Sequence, residues 1–316
     1  MPAEHLDPDL ERWRTAGRHF SYKNHAVFFR EEGQGEPLLL IHGFPTSSWD
    51  WHLLWPALCG RFRVIAVDLL GFGFSAKPRD YAYSLVDQAD LIEALLDECG
   101  VARVHMLSHD YGDSVVQELL ARREDRRRVG TSGIELLSVC LLNGGLFPEA
   151  HRPRPIQYLL AGPLGPLLSR FLSERRFCRS FSAVFGPDTK PSRADLGTYW
   201  QVVSFRQGQR LAHPLLGYIK ERKHFRERWV GALCRTPVPL RLINGPADPV
   251  SGLPLVQRYR ELVPRADTVI LKGIGHYPQV EDPDGVLSTF LEFHQKLKSL
   301  RSAPGGSGTA PPDSES

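Results

Sequence analysis

The chain is poor in cysteine. Its five, Cys59, Cys99, Cys140, Cys178 and Cys234, are odd in number and include no C-x-x-C pair. That excludes a disulfide-framed miniature fold, leaves a thiolate zinc site or dithiol redox centre without support, and fits a reducing compartment. Long apolar runs are also missing. No stretch approaches the roughly 18 residues needed to cross a bilayer, and residues 1–14 carry acids and prolines where a secretory signal would carry an apolar core. The C-terminal Asp313-Ser-Glu-Ser316 matches no prenylation, retention or peroxisomal signal. Neither sign of charge dominates: 39 Lys and Arg against 36 Asp and Glu give +3 over 316 residues, no footprint for nucleic acid. The expectation is a soluble cytoplasmic protein with a small-molecule partner, no nucleic acid and no metal. Its oligomeric state is left open.

What is present is ordinary globular material, 42% apolar and 24% charged, in sufficient length for a sizeable core. Short continuous apolar runs at Pro37–Gly43, Arg63–Asp68 and Arg103–Ser108 read as strands buried on both faces. Helical spacing follows at Leu85–Cys99, stopped by Gly100, and at Ser114–Arg123. Strands alternating with helices predict a mostly parallel sheet with right-handed crossovers. The alternation resumes at Leu136–Leu142, Val238–Ile243 and Asp267–Leu271, with a last helix at Gly285–Leu300. Between Phe147 and Arg235 the pattern is suspended in proline-broken helical pieces, which predict an inserted lid. The expected organisation is a core over 1–146 and 236–300, a helical lid over 147–235, and a low-complexity, disordered tail over 301–316. No internal repeat is visible.

In open parallel sheets the site forms at the carboxyl ends of the strands. Four exits carry reactive residues: His42-Gly-Phe-Pro45, Ser108-His-Asp-Tyr-Gly112, Asp248 before Pro249, and His276 in Gly273-Ile-Gly-His-Tyr277. The second has the small-x-nucleophile-x-small form of a nucleophile elbow with Asp110 at its centre; the serine version, G-x-S-x-G, is absent. A lone Asp there is ordinarily a helix cap, a lone His a packing residue, and Asp-Pro a turn. Three together, at three strand exits and in the order nucleophile, acid, histidine, point to a site. A carboxylate nucleophile selects its target, because acyl transfer to Asp would give an anhydride whereas displacement at a saturated carbon gives an alkyl ester. The turn Gly71-Phe-Gly-Phe-Ser-Ala76 matches a dinucleotide fingerprint in letters, but Lys77-Pro78 follows where a phosphate-binding helix should begin. The arginine run Arg122–Arg128 reads as a solvated helix end.

The phrases His42-Gly-Phe-Pro-Thr-Ser-Ser-Trp-Asp-Trp51, Leu70-Gly-Phe-Gly-Phe-Ser75, Ser108-His-Asp-Tyr-Gly-Asp113, Arg228-Trp-Val-Gly-Ala-Leu233 and His276-Tyr-Pro-Gln279 resemble the α/β-hydrolases of the haloalkane dehalogenase and epoxide hydrolase group, from about Trp13 to Leu297. The resemblance implies the α/β-hydrolase fold and a cofactor-free hydrolase. It implies Asp110 as nucleophile, His276 as general base, Asp248 as its orienting acid, and the N–H groups of Phe44 and Tyr111 as oxyanion hole. His109, Trp51, Tyr158, Tyr199 and Tyr218 are the pocket candidates it suggests. The expected substrate is a small apolar electrophile; an ester or lipid hydrolase and a catalytically silent binding protein of the same fold are the alternatives. Dehalogenases of the group place Trp and often Asn where this chain has Tyr111 and Phe44, and epoxide hydrolases place a lid tyrosine near Trp229-Val230, so the core matches better than any one leaving group. The resemblance also carries an alternative location at the endoplasmic-reticulum membrane.

The small net charge hides a division. Residues 149–235 hold sixteen Lys or Arg against six acids, +10, and the rest of the chain is −7. A basic lid over an acidic core suggests weak association with an anionic membrane surface or steering of an anionic substrate. Solvated helix faces such as Lys220–Arg228 are the plainer account.

Overall fold

The computed structural model describes residues 6–302; the expected tail falls outside them, apart from the helical backbone at 301 and 302. Eight strands form one sheet in the order β1-β2-β4-β3-β5-β6-β7-β8. They are β1 (Arg18–Tyr22), β2 (His25–Glu32), β3 (Pro37–Ile41), β4 (Arg63–Val67), β5 (Arg103–His109), β6 (Glu135–Leu142), β7 (Leu240–Asn244) and β8 (Thr268–Ile270). From β4 onward every neighbouring pair is parallel, with registers such as Leu39↔Ile65, Leu39↔Met106 and Leu107↔Cys140. The reason lies in composition. Leu38–Ile41, Val64–Val67 and Val104–Leu107 are buried throughout, which requires cover on both faces, and helices supply it.

The edge hairpin β1–β2 is an element the apolar runs do not announce. It turns on Lys23-Asn24, both at positive φ (47° and 62°), the conformation of a tight hairpin turn usually signalled by glycine. β2 then pairs antiparallel to β4. The β4 exit is a loop: Asp68 accepts from the N–H groups of Ser48 (2.7 Å) and Phe74 (2.6 Å). No helix starts in it, so it holds no dinucleotide-type turn.

After β6 the chain leaves the sheet and returns only at β7, contributing the helices Pro155–Ala161, Gly165–Arg170, Glu174–Ser182, Arg193–Ser204, Tyr218–His224 and Arg226–Arg235. The last of these is bolted to the core helix Tyr111–Val129: Trp229 Nε1 donates to Glu118 at 2.7 Å, Arg228 reaches Glu118 and Asp125, and Arg235 reaches Glu124. The Arg122–Arg128 run, expected as a solvated end, divides: Arg127 and Arg128 are exposed, but Arg122 and Arg126 are not free in solvent. Arg122 is largely buried and bonds Glu118, Glu93 and the Val86 carbonyl, while Arg126 pairs with Glu93, because two helices press their charged flanks together there. Among the described residues, no helix is long and apolar enough to cross a membrane.

Candidate active site

β5 ends at His109 and the helix Tyr111–Val129 begins two residues later, so Asp110 must make the whole turn. Its φ of 45° lies in the left-handed region, a strained choice for a residue with a side chain. Close packing forces the turn: a Cβ on Gly112 would lie 2.5 Å from the Ile41 carbonyl oxygen, and Gly112 N–H instead donates to the His42 carbonyl at 3.1 Å. The Asp110 carboxylate is thereby lifted to the carboxyl edge of the sheet.

Both of its oxygens are engaged. Oδ2 accepts from Phe44 N–H at 3.2 Å and lies 3.9 Å from His276 Nε2. Oδ1 accepts from Arg222 Nη2 at 3.1 Å, and the same nitrogen donates to the Asp110 carbonyl oxygen at 2.9 Å. Burial alone would raise the Asp110 pKa, but Arg222, followed by His276, holds it below the ordinary carboxylate value. Tyr111 opens the helix, so its N–H belongs to the amides that a first turn leaves without intrahelical partners.

On the other side, His276 Nδ1 meets Asp248 Oδ2 at 2.7 Å. Asp248 is fixed in turn by Asn143 Nδ2 at 2.9 Å and Val250 N–H at 2.7 Å. Burial works to lower the His276 pKa, yet Asp248, with help from Asp110, raises it to about 9. His109 lies beneath this pair, its Nε2 bonded to the His276 carbonyl oxygen at 2.7 Å. Burial, and then the neighbouring His276, lowers its pKa to about 3, so it is a neutral brace that donates from Nε2.

Asp110 and His276 sit on the wall of a cavity of about 670 Å³. Most of the lining is apolar, including Phe44, Phe72, Leu160, Phe177 and Phe181, with Arg154, Arg176 and Arg179 as its charged members besides Asp110 and His276. Tyr218 also lines it. Its hydroxyl accepts from Gln157 Nε2 at 3.3 Å, its ring lies 4.4 Å from the Arg222 guanidinium, and burial raises its pKa, so it is a protonated phenol.

The other pocket candidates sit elsewhere. Trp51 is fully buried in the core cluster behind the His42–Trp51 loop, a position its size and apolarity favour. Tyr199 is buried against Phe181 with ring centroids 4.8 Å apart, away from the cavity wall. Tyr158 faces outward and is 56% exposed. His109 braces His276 from below. Lys220–Arg228, expected as a solvated face, divides: Lys220 and Lys223 are exposed, but Arg222 is buried on Asp110, Ser114 and His151. Spacing puts Tyr218 and Arg222 at i, i+4 on one helix face but does not say what that face meets.

A possible set of metal ligands lies apart from this site. Glu36, just before β3, and His105, early in β5, meet His294 with ligand atoms within 4.8 Å of one another. The chain provides its own cation there, Lys298 Nζ lying 3.6 Å from Glu36 Oε2.

The model of the alpha/beta hydrolase family matches residues 38–289. Mesoderm-specific transcript protein of Mus musculus is 44% identical over 304 residues, covering 93% of this chain and 90% of that protein. Among solved structures, the haloalkane dehalogenase DbeA-M1 loop variant from Bradyrhizobium elkanii superposes with a TM-score of 0.74 at 20% identity, covering 90% of this chain and 98% of that one. Epoxide hydrolase CorEH superposes with a TM-score of 0.72 at 21% identity, covering 89% and 99%. The two structures share the fold, and the family model with the long 44% match settles membership: the chain belongs to the alpha/beta hydrolase family and is a hydrolase.

Proposed function

We propose that the chain hydrolyses an apolar electrophile through a covalent ester on Asp110, without a cofactor. One observation carries the reading: a carboxylate held at positive φ on a cavity wall, 3.9 Å from an imidazole that a second carboxylate grips at 2.7 Å. In the first half, Asp110 Oδ1 forms a bond to the substrate carbon as the leaving group departs with its bonding electrons. Oδ2 becomes the ester carbonyl, facing Phe44 N–H. In the second half, water gives a proton to His276 Nε2 and its oxygen bonds Asp110 Cγ. The N–H groups of Phe44 and Tyr111 receive the oxyanion, each contributing about 3 kcal/mol. Collapse breaks the Cγ–Oδ1 bond, the alcohol leaves with the proton from His276, and the new acid ionises.

The charges suit this order. With its pKa at about 9, resting His276 is protonated at neutral pH and is no base. Esterification neutralises Asp110, one of the two carboxylates that hold that proton, so His276 releases it for the step that needs a base. Where the substrate is an epoxide, the Tyr218 hydroxyl, a protonated phenol among the cavity's lining groups, is the group we assign to protonate its oxygen. The cavity, at about 670 Å³, is within the range of small-molecule sites, which suits the small apolar electrophile expected from the sequence.

The test is to incubate His276→Gln protein with epoxides, alkyl halides and esters and map adducts by mass spectrometry. The expected result is a stable adduct on Asp110 with one electrophile class, turned over by the wild type. No adduct and no wild-type turnover would sink the reading, and ester turnover without Asp110 labelling would replace it with acyl hydrolysis.

A further inference from the structure

Six large apolar side chains, Ile156, Tyr158, Leu159, Leu164, Leu167 and Phe171, face solvent from one stretch of two short helices and their connections. Leu164 and Phe171 are each 61% exposed, values at which an isolated residue needs no explanation but six neighbours do. Three of them, Ile156, Leu159 and Phe171, also line the cavity that holds Asp110, so its mouth opens inside the patch. Arg152, Arg154, Arg170, Arg175, Arg176 and Arg179 accompany them, with Glu174 as the only acid between 152 and 179.

Pairing separates these arginines from the last four of the basic segment. Arg222, Arg226, Arg228 and Arg235 are matched to Asp110, Glu149, Glu118 with Asp125, and Glu124. Among the described residues, none of the six around the patch forms an ion pair. Exposed Leu and aromatic side chains interspersed along the chain with arginines that form no ion pair among the described residues have the composition of an interfacial membrane anchor. A second copy of the chain is a poor occupant, because self-packing would set the arginines against arginines. We propose that residues 156–171 dock on an anionic phospholipid surface, so that the cavity draws its substrate from the bilayer. The docking stands independently of the chemistry proposed for Asp110, since its test reads binding alone.

Full-length protein is sedimented with phosphatidylcholine–phosphatidylserine vesicles and with phosphatidylcholine vesicles. The expected result is binding to the anionic vesicles that weakens with added salt. Binding should fall about tenfold or more in Leu164→Ser/Leu167→Ser and in Arg170→Glu/Arg175→Glu, whose positions lie off the cavity wall. Melting curves matching the wild type establish that these variants fold. Wild-type protein left in the supernatant, equal binding to both vesicle types, or variants that bind as well as the wild type would overturn the proposal. So would a wild-type dimer that Leu164→Ser/Leu167→Ser converts to monomer, which would make the patch a self-interface.

Discussion

Arg222 sets the state of Asp110. A carboxylate this deeply buried would take up a proton, and the guanidinium on Oδ1 keeps it charged. The contribution of a depressed carboxylate pKa is present above its ordinary value of 3.8 and fades as pH falls through the lower folded value. Arg222→Gln removes that contribution at neutral pH. It should cost about 3–5 kcal/mol in urea unfolding, less whatever Asp110 recovers by protonating, and in single-turnover assays it should move the acidic limb of Asp110 alkylation to higher pH. His276 gives the opposite sign. In the proposed cycle ester breakdown needs its neutral form, so in pre-steady-state measurements that step should rise with pH and level off below about 9, since the ester no longer supplies the Asp110 charge. Asp248→Asn removes the largest opposition to burial, leaving Glu281, and should shift the limb to lower pH. Its plateau rate should fall by about 10⁴-fold as the imidazole loses its tautomer and orientation.

At the scale of elements, the strand–helix junction at 108–113 is the unit on which the site depends. Gly112→Ala would drive a Cβ to 2.5 Å from the Ile41 carbonyl oxygen and 2.9 Å from that of His42. The expected cost is about 2–3 kcal/mol of stability, with a larger proportional loss of Asp110 alkylation, measured by denaturant melts beside mass-spectrometric labelling. This junction was legible in the chain, because small-x-Asp-x-small after an apolar run is joined by an acid and a histidine at two later strand exits. The β1–β2 hairpin was not, since Lys23 and Asn24 turn it without the usual glycine. Helix faces fall between the two. Tyr158 and Tyr218 are both tyrosines in the segment between β6 and β7, yet one is exposed and the other lines the cavity, because their short helices pack in directions that spacing alone does not fix.

Across the whole molecule, the arginines at the two ends of the segment between β6 and β7 differ. The last four answer Asp110, acids of the core helix Tyr111–Val129 and Glu149, fastening the segment, and among the described residues the six between 152 and 179, three of which line the cavity, form no ion pair. The sequence by itself determined the alternation of strands and helices, the carboxyl-edge location of the site, and the candidacy of Asp110, Asp248 and His276, because backbone periodicity and turn chemistry are local and are written in consecutive residues. Tertiary structure alone decided that Arg222, 112 positions away, closes on Asp110. It also decided that Trp51 and Tyr199 belong to the core and that six apolar side chains stand exposed on one stretch, three of them on the cavity wall. Those outcomes depend on which faces meet after the chain has folded back on itself, and in a linear text a buried guanidinium and a solvated one are the same letter.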